Sequence, residues 1–192
     1  MARAKPFRTG QTTPQRSRSV DLQRVTHGDK AELIAANLAN RPYHEPWARP
    51  FTDDAGFHAW FARCVTGPNV SLLAREPRSG ELIGVVNLNE IVMGAFRSCF
   101  VGYYGYERWS GQGYMTAALR AAATFAFRDL GLHRLEANIQ PENLASIRLA
   151  QRAGFQKEGF SPRYLFLDGA WRDHEHWVLL NPELPHSSQL QA

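Results

Sequence analysis

Residues 108–122 read RWSGQGYMTAALRAA. Gly111 and Gly113 stand one residue apart, and a strongly helical run follows at once. The segment before them, CFVGYYGYE (99–107), is aromatic-rich and strand-like. The first backbone N–H groups of a helix have no intrahelical partner and lie at the positive end of its dipole. Glycines at that point let an anion approach the donors without a Cβ in the way. Spacing alone is equally compatible with an ordinary turn. It does exclude two nucleotide motifs. No Gly-Lys-Ser/Thr follows, so this is not a Walker A loop, and Thr116 occupies the third glycine place of a dinucleotide fingerprint.

Working outward, VDLQRV (20–25) predicts a strand and GDKAELIAANLAN (28–40) a helix. RPYHEPWARP (41–50) holds three prolines and predicts an aromatic loop. TDDAGFHAWFARCV (52–65) reads as a helix with Phe57, Trp60, Phe61 and Cys64 on one face. Three strand-like runs follow, NVSLLARE, ELIGVVNLNEI and SCFVGYYGYE, joined by short turns as an antiparallel meander. A helix over about 113–130, a strand at LHRLEANIQ, a helix at ENLASIRLAQRAG and a hairpin around Asp168–Gly169 complete the chain. The order β-α-α-β-β-β-α-β-α-β-β describes an α+β fold: one mixed, mostly antiparallel sheet with helices on its faces.

The 192 residues are 44% hydrophobic, enough for one domain with a substantial core, expected over 20–182. No apolar run is long enough to span a membrane, and no secretory h-region opens the chain. Cys64 and Cys99 lack metal-ligand spacing and suit a reducing cytoplasm, so no metal is expected. The formal charge of +4 is uneven: residues 1–19 carry Arg3, Lys5, Arg8, Arg16 and Arg18 and no acid. Subtracting those five leaves 17 basic against 18 acidic residues, a near-neutral body. A disordered basic tail over 1–19, able to touch RNA or the ribosome weakly, is therefore expected, as is a flexible end over 183–192. A nucleic-acid-binding body is disfavoured.

Arg108, Gly111 and Gly113 sit in the Arg/Gln-x-x-Gly-x-Gly/Ala pattern between strand and helix, which resembles the acetyl-CoA pyrophosphate loop of the GNAT superfamily of N-acetyltransferases. LHRLEANIQPENLASIRLAQRAGFQKEG (132–159) further resembles the ribosomal-protein-alanine acetyltransferase branch, with its Asn-x-x-Ser…Gly-Phe pattern at Asn143, Ser146, Gly154 and Phe155. RYLFLDGAWRDH, ELIGVVNLNEIVMGAFRSCFVGYYG and the EPW at Glu45–Trp47 extend the likeness across about 20–182.

The resemblance implies the GNAT acyl-CoA N-acyltransferase fold, with helices on both faces of the sheet, and acetyl-CoA as acetyl donor. It implies contacts to that donor from Tyr104, Gly105 and Tyr106 through the strand backbone. Arg108, Trp109, Gly111, Gln112, Gly113, Tyr114 and Met115 would supply the loop, and Asn143 and Ser146 the next helix. Asn143 equally reads as a helix cap. Many such enzymes protonate the leaving thiolate with a tyrosine where this chain has Ala150; Ser146, one turn earlier, takes that role by position. Glu90, ending the VVNLNE strand, is the leading carboxylate base, with His44, Glu45 and His174 behind it. Tyr43, His44, Trp47, Tyr164 and Trp171 are expected to line the acceptor slot.

The expected acceptor is a protein N-terminal amine, plausibly the alanine of a ribosomal protein. An α-amine titrates near 7.7–8.0 against about 10.4 for lysine, so a site without a strong base suits it better. The alternatives are a small amine (an amino acid, polyamine or drug) and a non-catalytic module that binds acetyl-CoA or RNA. The protein is expected to be a monomer or homodimer.

Overall fold

The computed structural model describes residues 18–184. The expected tails fall outside that range except for Arg18, Ser19, Glu183 and Leu184. Strand β1 (Asp21–Arg24) leads through a single 3₁₀ turn, His27–Asp29, into α1 (Lys30–Ala39). Asp29 accepts from both the Thr26 backbone N–H and its hydroxyl, each at 2.7 Å, and so fixes that entry. The proline-rich stretch is not wholly a loop, because α2 (Arg41–His44) makes one helical turn. Pro42 lies in the first turn, where its missing N–H costs no hydrogen bond. α3 (Asp54–Val65) is capped by Asp53, whose carboxylate accepts from Gly56 N–H at 2.7 Å.

The expected meander follows as β2 (Val70–Arg75), β3 (Leu82–Val92) and β4 (Ser98–Gly105). α4 (Tyr114–Arg128), β5 (Arg134–Ile139), α5 (Leu144–Ala153), β6 (Gln156–Leu167) and β7 (Ala170–Leu180) complete the order. The seven strands form one sheet in the order β1-β2-β3-β4-β5-β7-β6. Only β4 and β5 run parallel.

Two cores hold the layers together. On one face Leu72, Ile83, Val86 and Leu135 meet Ala118, Leu119 and Ala122 of α4 and Ala150 of α5. On the other, Leu73 and Val85 meet Leu33 of α1 and Phe57 of α3. Trp60, Phe61 and Cys64 are half-buried with Phe57 on the inward side of α3, as the periodicity predicts. Alanines on α4 bring the helix close to the sheet, and two glycines bring it closer still. A Cβ on Gly84 would meet Met115 Sδ and the Tyr104 carbonyl at 2.5 Å, and one on Gly105 would meet Met115 Cγ at 2.7 Å. The first turn of α4 therefore rests directly on β3 and β4. Among the described residues, no helix is long and apolar enough to cross a membrane.

The feature that positions the site is a parting of strands. β4 pairs with β5 only at Ser98–Phe100 against Arg134–Glu136. Beyond Phe100 the two strands diverge while β4 stays paired with β3 as far as Gly105. The Tyr106 N–H bonds the Ile83 carbonyl at 3.0 Å, so by strand alternation the backbone groups of Val101, Tyr103 and Gly105 face the gap.

Candidate active site

A cavity of about 1180 Å³ occupies that gap and opens to both faces of the sheet. It exceeds the few hundred to 1,000 Å³ usual for one small ligand, leaving room for a carrier and an acceptor together. Gly111 and Gly113 border it at φ +70° and +86°, in the left-handed region that favours glycine. Among the described residues, and its chain neighbours aside, nothing lies within 4 Å of where a Cβ on Gly111 would be, so the loop is a cradle with open space above the helix start. The first intrahelical bond of α4 runs from Ala117 N–H to Gly113 carbonyl, which leaves the earlier amides for an anion.

The loop residues divide by role. Met115 borders the cavity, and Trp109 borders it while donating its indole N–H to the Leu82 carbonyl at 3.0 Å. Tyr114 is buried edge-on to Trp109. Gln112 donates to the Arg108 carbonyl at 2.7 Å and closes the turn. The Arg108 guanidinium pairs with Glu81 at 2.6 Å and lies over Trp109, outside the cavity lining. Its charge is thereby spent on the loop's own shape. The Arg18 guanidinium bonds the Gln112 carbonyl at 3.3 Å and lies over Tyr114.

On the α5 wall, Asn143 caps the helix by accepting from Ser146 N–H at 3.1 Å, and both residues border the cavity. The Ser146 hydroxyl lies 2.8 Å from the Tyr103 hydroxyl. Burial pushes the Tyr103 phenol up to about 12, so it stays protonated at neutral pH and backs Ser146 with a proton. The sequence reading overlooked Tyr103. Its signal is the pair Tyr103–Tyr104, which strand alternation sends to opposite faces of β4. Ala150 is fully buried against α4, so that position offers the cavity nothing.

Glu90 is not placed to act as a base here. It sits at an irregularity in β3 between Asn89 and Val92, with φ +50°, exposed and away from the cavity. The imidazoles and carboxylate in the lining are His44, His174 and Glu45. The His44 Nε2–H donates to the Gly105 carbonyl at 2.9 Å, which leaves the lone pair on Nδ1, buried and without a partner among the described residues. Burial lowers the pKa of His44 and of His174, so both are neutral at pH 7. Tyr104 and Tyr106 turn to the same side as His44, their phenols raised by burial.

Of the expected acceptor residues, Tyr43, His44 and Trp47 border the cavity, and Tyr43 donates to the Ser110 hydroxyl at 3.0 Å. Tyr164 and Trp171 do not border it. Tyr164 packs edge-on to His176, and Trp171 packs on Phe166 while remaining exposed. A shift of register between Ser161 and Leu165 rotates the hairpin, so Leu165, Leu167 and His174 face the cavity instead.

A parted β4–β5 pair beside a glycine-cradled helix start leaves a free strand edge and an anion-compatible helix end side by side, a shape suited to an extended ligand that carries phosphate. The chain belongs to the GNAT acetyltransferase family: residues 20–156 match the acetyltransferase (GNAT) domain. It is 35% identical over 170 residues to the [ribosomal protein uS5]-alanine N-acetyltransferase of Escherichia coli, covering 83% of this chain and 87% of that one. Its fold is similar to Mycobacterium smegmatis RimJ in complex with CoA-disulfide, with TM-score 0.75, 31% identity, and 88% and 85% of the two chains covered. It also has the fold of the spermidine N-acetyltransferase of Vibrio cholerae in complex with CoA and spermine, with TM-score 0.71 and 21% identity over 84% and 95%. The protein is an acetyltransferase whose acetyl donor is acetyl-CoA. The open cradle at Gly111 and the free edge of β4 fit that donor's diphosphate and its amide-bearing arm.

Proposed function

We propose that the protein acetylates the N-terminal α-amine of a protein in the cytoplasm, with alanine as the first residue and a ribosomal protein as the natural acceptor. Acetyl-CoA supplies an electrophilic carbonyl carbon and a thiolate leaving group. The N–H groups of Val101, Tyr103 and Gly105 that face the gap bind the donor's arm and carry the charge that develops on the carbonyl oxygen. His174, whose Nδ1–H donates to the Arg172 carbonyl and so leaves the lone pair on Nε2, receives the proton that the attacking amine loses as the C–N bond forms. Ser146 gives its proton to the departing sulfur as the C–S bond breaks, and Tyr103 replaces it.

The observation that carries the choice of acceptor is the cavity's ionisable lining. It holds Arg49, Arg63, Arg148 and Arg152 against the single carboxylate of Glu45. A polyamine needs the opposite balance. A neutral imidazole of lowered pKa is also a weak base, adequate for an α-amine and poor for a lysine. The likeness to the uS5-alanine enzyme over most of both chains agrees with this choice. The test follows free CoA with three acceptors: an alanine-starting octapeptide, the same peptide N-terminally blocked and carrying a lysine, and spermidine. Turnover is expected with the first alone. Turnover confined to spermidine overturns the acceptor, and tight acetyl-CoA binding with no turnover on any amine would favour a non-catalytic module.

A further inference from the structure

Three neighbouring strands place Asn87 of β3, Gly102 of β4 and Asn138 of β5 on the acceptor side of the cavity, and all three border it. Asn87 lies directly opposite Gly102 in the β3–β4 register, so their side-chain positions share a face. Asn138 lies two residues beyond Glu136, the partner of Phe100, and belongs to that same face of β5. Gly102 has no side chain, so between the two asparagines the β4 backbone is open to the cavity, with Asn89 Nδ2 at its edge, 3.4 Å from where a Gly102 Cβ would stand.

The chemistry behind each asparagine sets what it shows to the cavity. Asn87 Oδ1 accepts from the Ser71 hydroxyl at 2.6 Å. Asn138 Oδ1 lies 2.6 Å from His176 Nδ1, and the Glu136 carboxylate lies 3.2 Å from the same nitrogen. A carboxylate only accepts, so His176 Nδ1 carries the hydrogen and the Asn138 atom facing it is the oxygen. Ser161 completes the assignment by meeting His176 Nε2 at 2.8 Å. Each carboxamide is thus anchored through its oxygen, and neither Nδ2 donates to any described residue. Both NH₂ groups are spare donors at the rim of the slot. Asn69 differs, because its Nδ2 donates to Asn89 Oδ1 at 3.3 Å while its own oxygen accepts from the Glu90 N–H. Asn89 also keeps its Nδ2, but it does not border the cavity.

We infer that Asn87 and Asn138 are the acceptor-recognition pair, donating their Nδ2–H groups to main-chain carbonyl oxygens of an extended peptide laid over Gly102. The inference rests on the proposed peptide acceptor and names the groups that select it. With strands about 4.8 Å apart, the two asparagines stand too far from each other to share one oxygen. Each takes its own carbonyl, as an extended chain offers on alternate residues. An amine without carbonyls leaves both donors unpaired in a half-buried site, which costs affinity. The slot therefore discriminates peptides from simple amines without touching the reacting nitrogen.

The test replaces each amide by its isosteric carboxylate, in Asn87→Asp and Asn138→Asp, which keeps the acceptor for Ser71 or His176 and turns the donor into a second acceptor. For the alanine-starting octapeptide, KM is expected to rise at least tenfold in each variant, with KM for acetyl-CoA within twofold of wild type and the melting temperature retained. Spermidine, no substrate for the wild type on the proposed function, is expected to remain a non-substrate or to gain slow turnover. An unchanged peptide KM in both variants overturns the inference, as does a parallel rise in KM for acetyl-CoA, which would move the pair to the donor side. Asn138→Ser, which keeps a donor on a shorter arm, is expected to fall between wild type and aspartate; an effect as large as aspartate's marks a purely structural role and also overturns it. Wild-type failure on every peptide overturns the proposed function itself, whereas peptide turnover with indifferent variants removes the recognition pair alone.

Discussion

The Tyr103 hydroxyl lies 2.8 Å from the Ser146 hydroxyl and 3.3 Å from the Ser146 carbonyl, and the first of these contacts decides whether the proposed weak acid can serve the departing sulfur. An isolated serine hydroxyl is a poor donor of protons. Here a phenol held protonated by burial stands 2.8 Å behind it, so a proton given up by Ser146 is replaced from inside the protein. Replacing Ser146 with alanine is expected to lower kcat by about 10²-fold, the lower end of general-acid effects, with little change in KM for acetyl-CoA. Stopped-flow measurement of CoA release checks this, and an unaltered kcat removes Ser146 from the reaction. Ser146 was legible in the sequence because its spacing from Asn143 and Gly154–Phe155 is local to one helix. Tyr103 was not, since its partner lies 43 residues away and only the meeting of β4 with α5 brings them together.

At the scale of the element, α4 is set by what lies under its first turn. Gly84 and Gly105 leave space that Met115 fills, and the helix start therefore sits level with the free edge of β4. Gly84→Ala introduces a methyl group 2.5 Å from both Met115 Sδ and the Tyr104 carbonyl oxygen. Relief requires β3 and β4 to shift against each other, since the carbonyl belongs to the paired strand, and Met115 at the start of α4 to give way. Destabilisation of about 1–3 kcal/mol is expected from such overpacking. A lower melting temperature together with weaker acetyl-CoA binding by calorimetry checks it; a lower melting temperature with unaltered binding would show that the height of α4 does not matter to the donor.

The whole molecule registers pH through its buried imidazoles. His44 and His174 have folded pKa values below the ordinary 6.5, in both cases chiefly because burial disfavours the charged ring. Above pH 6.5 both are neutral in folded and unfolded chains alike, and neither contributes to the pH dependence. Below it the unfolded chain binds protons that the folded chain refuses, so stability falls as pH drops from about 6.5 toward 5. The carboxylates with lowered values, Asp54, Glu76 and Glu158, add their own loss only at more acidic pH. Thermal melts at pH 7.5 and 5.0 are expected to show a drop in the wild type and a smaller one in His44→Gln/His174→Gln. An equal drop in both proteins would mean that other groups carry the dependence.

The sequence by itself determined the order of elements apart from α2, the inward face of α3, and the glycine turn that opens α4, because helix periodicity, capping and left-handed glycines are local properties of the chain. It also placed Asn143 and Ser146, which one helical turn keeps in fixed relation. Only the tertiary structure decided which strand residues meet the acceptor. Facing in a strand is a count of parity, and one irregularity inverts it. The break between Asn89 and Val92 leaves Glu90 outside the cavity, and the shift between Ser161 and Leu165 exchanges Tyr164 for Leu165. Asn87 and Asn138 lie 51 residues apart in the chain and gain a common purpose only because β4 passes between their strands and then parts from one of them.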